Sequence, residues 1–205
     1  MSDVEFASLL CSRLCHDLLS PVGAMNNGIE LLADEKDPDM RERVIELLAD
    51  SARASADRLK FFRLAFGAGG GFGETLDANE VRQAVEGLVR GNARITLGWM
   101  VEVPAISKTA AKILLNLVMV AFDALVRGGR LDVGVEGGEV VVRAEGPRIV
   151  LDAEIREVLA GGQGGVTSRT SAVWLTRRLA ADAGGALTIA DSEEGVLLLG
   201  ATLPV

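Results

Sequence analysis

The apolar pattern of this 205-residue chain changes its period once, at the glycine run GAGGGFG spanning 67–73, and that switch constrains the fold more than any other feature. Before it, Leu14, Leu18, Val22, Met25, Ile29 and Leu32 recur at spacings of three and four, which places them on one stripe of an α-helix. The spacing predicts a helix from near Ser2 to Ala33. Pro21 falls inside it, where the missing N–H and the bulk of the ring predict a local kink. Asp37 makes a favourable N-cap with Pro38 at the first helical position, and Met40, Val44, Leu47, Leu48, Leu59 and Phe62 carry a second stripe. Two long antiparallel helices are therefore expected over 1–66. A lone helix pair cannot enclose such stripes, and a second copy completing a four-helix bundle is the simplest remedy, so a homodimer is expected.

The glycine run itself has no periodicity and reads as a flexible linker, the best domain boundary in the chain. Beyond it, over 74–205, helical and strand patterns alternate. Asn79 to Arg90 reads as a helix, Arg94 to Trp99 as a strand, and Lys108 to Val126 as a helix apolar nearly all round and hence buried. Leu131 to Val135 and Val140 to Ala144 flank Gly137-Gly138 like a hairpin. Ala153 to Leu159 and Ser171 to Ala183 suggest helices, Gly184-Gly185 stops the second, and Leu187 to Ala190 with Val196 to Leu203 close the chain as strands. The fold class is α+β: an N-terminal helical hairpin forming a dimeric four-helix bundle, then an α/β sandwich of helices on a mixed sheet.

Composition bounds the partners. Lys and Arg total 21 against 29 Asp and Glu, a formal charge of -8 that repels phosphate backbones and anionic lipid headgroups, so neither nucleic acid nor a membrane surface is an expected partner. Without any Tyr the chain also lacks the aromatic platform on which single-stranded nucleic acids stack. The start MSDVEF is acidic, and the longest apolar stretch, Ile113 to Leu125, is interrupted by Asn116, which predicts neither signal peptide nor membrane span and a soluble cytoplasmic protein.

Chemistry concentrates at the one histidine, His16, in the string RLCHDLLSPVGAM. With Leu14 and Leu18 turned inward, His16 is expected to face solvent at mid-helix, an unusual place for a structural histidine. Asp17 beside it can hold the proton of one ring nitrogen while the other attacks an electrophile. Arg13, Leu19, Ser20, Gly23 and Asn27 fall at helical spacings around it and are expected on the same exposed face. Gly23 would leave a spot free of side chain for a partner's close approach, and an exposed Leu19 would serve as an apolar docking anchor. Cys11 and Cys15 lack the further Cys or His that a tetrahedral metal site needs and are expected to pack as small buried hydrophobes. No metal is expected in this chain. Asn116 and Asp123, polar residues on the buried helix, are a second candidate: they could line a pocket, face solvent or cap a neighbouring loop. Gly161-Gly162 and Gly164-Gly165 match no phosphate loop, since no Gly-Lys-Ser/Thr follows, and read as turns.

On these motifs the chain resembles a two-component histidine kinase core. HDLLSPV resembles the phospho-acceptor box, ILLNLVMVAFDAL the asparagine box of the kinase ATP domain, and the segment from Ala172 to Val205 that domain's last third. The departures matter as much: Val120 stands where kinases carry a metal-binding Asn, AEGPRIV replaces the adenine-reading Asp-x-Gly-x-Gly loop, and SRTSAVW replaces the glycine box. Without these the domain is expected to bind no ATP and no cofactor. Such a chain is similar to the ChpT-type histidine phosphotransferases, whose signature is matched from His16 to Ala24, with Leu19 where kinases often carry a basic residue. The resemblance implies that His16 takes a phosphoryl group from the receiver domain of a hybrid histidine kinase and passes it to response regulator receivers, with Mg2+ supplied by the receiver. An ATP-dependent sensor kinase core and a receiver-binding scaffold are the alternatives.

Overall fold

The protein is described by a computed structural model covering residues 1–67, 74–162, 164–193 and 195–204. Helix α1 (Asp3–Asp34) opens on a capping box: the Ser2 hydroxyl accepts from the Glu5 N–H at 3.2 Å, and the Glu5 carboxylate accepts from the Ser2 N–H at 2.7 Å. Helix α2 (Pro38–Ala65) opens on Asp37, whose carboxylate accepts from the N–H groups of Asp39 and Met40, with Pro38 in the first turn. The two helices approach closely at Gly28, where an added Cβ would lie 2.8 Å from Leu48 Cδ2. Helix α1 runs on through Pro21 to Asp34 as one helical element.

The remaining elements in order are β1 (Thr75–Asp77), α3 (Ala78–Arg90), β2 (Ile95–Trp99), β3 (Ala105–Ser107), α4 (Lys108–Ala124), β4 (Gly129–Glu136), β5 (Glu139–Glu145), α5 (Ala153–Leu159), α6 (Ser171–Asp182), β6 (Ala186–Glu193) and β7 (Val196–Thr202). Five strands form a sheet in the order β2-β4-β5-β7-β6, with β2 parallel to β4 and the other pairs antiparallel. The β4–β5 turn is made by Gly137 (φ 52°) and Gly138 (φ 89°), both in the left-handed region that the mirror-image hairpin turn requires. One sheet face, with Leu131, Val133, Val140, Val142, Leu197 and Leu199, is fully buried. Helix α4 packs against β5 and β7 of that sheet. The short antiparallel pair β1–β3 has no counterpart in the sequence reading, because three residues per strand are too few to show a period.

The core is continuous across the switch in pattern. Phe61, Phe62, Leu64 and Ala65 at the end of α2 share one cluster with Val81, Leu114 and Val118, and Phe6 near the start of α1 lies against Trp174 of α6, ring centroids 4.6 Å apart. Most of the expected linker, residues 68–73, lies outside the described residues. Among the described residues no helix is long and apolar enough to cross a membrane.

The hairpin leaves an apolar row uncovered. Cys15, Val22 and Ile29 recur every seven residues on α1 and are exposed, as are Met40 and Leu47 on α2. Cys11 and Cys15 are both exposed, against the expectation that they pack inside. The physical reason is that the covered side of α1 runs through Arg13, Leu14, Asp17, Leu18, Pro21 and Gly28, and Cys11 and Cys15 fall outside it.

Candidate functional site

Two turns of α1 carry the site, and its geometry starts from a missing hydrogen bond. Pro21 has no N–H, so the carbonyl of Asp17, four residues earlier, loses its helical donor. Arg58 of α2 fills the vacancy, its guanidinium donating to the Asp17 carbonyl oxygen. The Asp17 side chain is held in turn: Arg13 Nε donates to Oδ2 at 2.7 Å, and Oδ1 lies 3.2 Å from His16 Nδ1. Only 18% of the Asp17 side chain is exposed, against 86% of His16. An ionised carboxylate can only accept, so this contact selects the tautomer with the proton on Nδ1 and leaves the Nε2 lone pair free toward solvent. The arrangement is an imidazole on an open surface with its ring orientation set from below.

Of the residues expected on the face around His16, Leu19, Ser20 and Asn27 are exposed, and Gly23 opens onto empty space, with no atom within 4 Å of where a Cβ would sit. Arg13 departs from that expectation. Its side chain is 15% exposed and turned inward, bridging Asp17 and, at 3.0 Å from Nη2, Oδ2 of Asp123 on α4. The reason is position: Arg13 sits at the margin between the exposed face and the buried strip, and two carboxylates lie on the inner side. Burial works against its charge, but the hydrogen bond and attraction from Asp17, followed by those from Asp123, outweigh it and hold the guanidinium above its ordinary value.

The second candidate pair separates. Asn116 is buried and its Nδ2 donates to the Ala65 carbonyl at 3.3 Å and the Lys112 carbonyl at 2.8 Å, so it caps the end of α2. Asp123 instead faces α1 and Arg13. Half of its side chain stays accessible, yet the crowding of its carboxyl by packed protein raises it above the ordinary carboxylate value, an effect that the Arg13 guanidinium only partly offsets. Arg58 carried no signal in the sequence, because nothing local marks a side chain that serves a carbonyl 41 positions away.

In the C-terminal layer, Val120 is buried on α4 at 5% exposure. The loop after β5 lies on the end of that helix, with the Val150 N–H donating to the Ala124 carbonyl at 3.0 Å. Gly161 turns in the left-handed region (φ 93°), and Arg177 donates to the Gly162 carbonyl at 3.1 Å, which ties the glycine segment to α6 as a turn.

Comparison with known proteins agrees with this architecture. Residues 78–195 match the family described as histidine phosphotransferase C-terminal domain. The chain is 39% identical over 133 residues to the protein phosphotransferase ChpT of Brucella abortus (strain 2308), a match that takes in 65% of this chain and 62% of that protein's length. A solved structure of a bacterial phosphotransferase superposes with a TM-score of 0.86 at 30% identity, covering 98% of this chain and 97% of that one. With the family match spanning more than half of its residues, the chain belongs to the histidine phosphotransferase family.

Proposed function

We propose that the protein is a phosphorelay intermediate in which His16 Nε2 takes a phosphoryl group from the aspartyl phosphate of a hybrid-kinase receiver domain and returns it to the aspartate of a response regulator receiver. The observation that carries this reading is the exposed imidazole with Nδ1 held on Asp17 and Nε2 free. In-line attack forms the Nε2–P bond as the P–O bond of the aspartyl phosphate breaks, and the receiver's carboxylate takes the bonding pair. Because the ring keeps its Nδ1 proton, it becomes cationic as the bond forms, and the Asp17 carboxylate offsets that charge. Magnesium belongs to the receiver's acidic pocket in this scheme. Leu19, Ser20, Gly23 and Asn27 form the surface on which the receiver seats.

The relay works without ATP and in the cytoplasm. Val120 in place of a metal-binding Asn, and a β5 loop laid on the end of α4, support the first point. Titration with magnesium-ATP in a calorimeter is expected to give no binding heat, and a saturable isotherm would return the chain to the ATP-dependent kinases.

The deciding experiment incubates the protein with a receiver domain carrying labelled aspartyl phosphate. Transfer of an alkali-stable, acid-labile label to this chain is the expected result. A chain that binds the receiver yet stays unlabelled would be a scaffold.

The active species is a homodimer, since the rows Cys15–Val22–Ile29 and Met40–Leu47 have the seven-residue spacing of a helix–helix seam. Light scattering at micromolar concentration should give twice the chain mass, and Ile29→Glu with Leu47→Glu should reduce it to one.

A further inference from the structure

We infer that Arg13 and Asp123 are positioning residues for the histidine: the chain Asp123–Arg13–Asp17 clamps the Asp17 carboxylate so that one oxygen is occupied and the other faces His16 Nδ1. The inference rests on the phosphotransfer reading above and gives the C-terminal layer a part in the site. Asp123 stands on α4, 110 positions from Arg13, so α4 supplies the far end of the clamp.

The geometry carries the argument. A free carboxylate rotates about χ2 and offers either oxygen to either neighbour. Here Oδ2 is taken by Arg13 Nε at 2.7 Å, which leaves Oδ1, 3.2 Å from the ring, as the oxygen that meets the imidazole. Arg13 in turn is a planar fork with one arm on Asp17 and the other on Asp123, so its plane is set at both ends. Arg58 holds the Asp17 backbone through the carbonyl that Pro21 leaves free, which fixes the point about which the side chain turns. Without Arg13, Asp17 keeps its place on α1 but loses the constraint on which oxygen it presents. The imidazole then samples both tautomers, and only the one with an unprotonated Nε2 can accept a phosphoryl group.

Asp123 offers a way to separate this role from a merely structural one. Crowding raises its carboxyl above the ordinary value, and the Arg13 guanidinium pulls it back. Half of its side chain is exposed, and an amide in its place fills the same volume, so Asp123→Asn is expected to fold as the wild type does.

The test uses the full chain with a phosphorylated receiver domain as donor and compares Arg13→Gln, Asp123→Asn and the double variant. Single-turnover transfer to His16 is expected to slow about tenfold in Arg13→Gln and about threefold in Asp123→Asn. The double variant should be no slower than Arg13→Gln alone, since the hydrogen-bonded path from Asp123 to Asp17 runs through Arg13. Independent roles would multiply to about thirtyfold. The imidazole 15N spectrum should show the proton on Nδ1 in the wild type and a mixture of tautomers in Arg13→Gln, while circular dichroism should show Asp123→Asn folded as the wild type. If Arg13→Gln fails to fold, Asp123→Asn carries the test through its rate and spectrum. Wild-type rates and an unchanged tautomer in the folded variants, or multiplicative slowing in the double variant, would overturn the clamp and leave the phosphotransfer reading standing. A wild-type protein that takes no label would overturn that reading instead, and the tautomer spectrum, which needs no donor, would still decide the clamp.

Discussion

His16→Ala is expected to fold and associate as the wild type does and to accept no phosphoryl group from any receiver. The imidazole is 86% exposed and its one side-chain hydrogen bond among the described residues is the 3.2 Å approach to Asp17, so truncation leaves no cavity. Exposed substitutions of this kind shift stability by roughly 0.5 kcal/mol or less, and Ala is the better helix former. The Asp17 carboxylate stays satisfied through Arg13, so no buried charge is left alone. Transfer, by contrast, loses the one imidazole of the chain: Ser20 is a poor acceptor without an adjacent base, and Asp17 is turned inward. The check is label transfer from phosphorylated receiver, read beside circular dichroism and light scattering of the same samples. Label on a folded His16→Ala protein would remove the assignment.

Leu19→Arg and Gly23→Leu are expected to weaken receiver binding while leaving the chain folded, Gly23→Leu with a gain in stability. Leu19 is 67% exposed on the face that carries His16, an apolar side chain with nothing of its own chain to cover it. Apolar anchors at interface centres are worth about 2 kcal/mol or more, so losing one should lower affinity roughly thirtyfold. At Gly23 no atom outside the local helix backbone lies within 4 Å of an added Cβ, so a leucine side chain can start there without a clash. It also replaces the poorest helix former but proline, a gain of up to about 1 kcal/mol. The same side chain would stand where a partner's backbone must approach. A variant that melts higher yet binds its receiver more weakly is therefore the signature of an interface, and a core defect would move both quantities down. Titration of unphosphorylated receiver against each variant, with thermal melts, makes the comparison. Unchanged affinity in both would place docking elsewhere on the molecule.

Much of the architecture was readable from spacing because the signals involved are local. The stripe from Leu14 to Leu32, the Asp37-Pro38 start of α2, the Gly137-Gly138 hairpin and the Gly184 stop each depend on residues within a few positions of one another, and each appears where the pattern placed it. His16 was likewise legible, since its exposure follows from Leu14 and Leu18 lying on the inner side of the same helix. The burial of Cys11 and Cys15 was misjudged for a related reason: an apolar stripe shows which residues avoid water, whereas which part of it a single hairpin covers depends on how α2 lies across α1.

The surroundings of His16 mark the division. The sequence by itself determined the exposed histidine, the acidic neighbour and the proline that strips a donor from the Asp17 carbonyl, because helical geometry places these groups through separations of one, four and five positions. Tertiary structure alone decided that Arg58 would satisfy that carbonyl, that Arg13 would turn from the exposed face to the inside, and that Asp123 would meet it there. Those contacts span 41 and 110 positions and are set by the packing of α1 against α2 and α4, where a charged side chain at the margin of a helix face follows its nearest unpaired carboxylate.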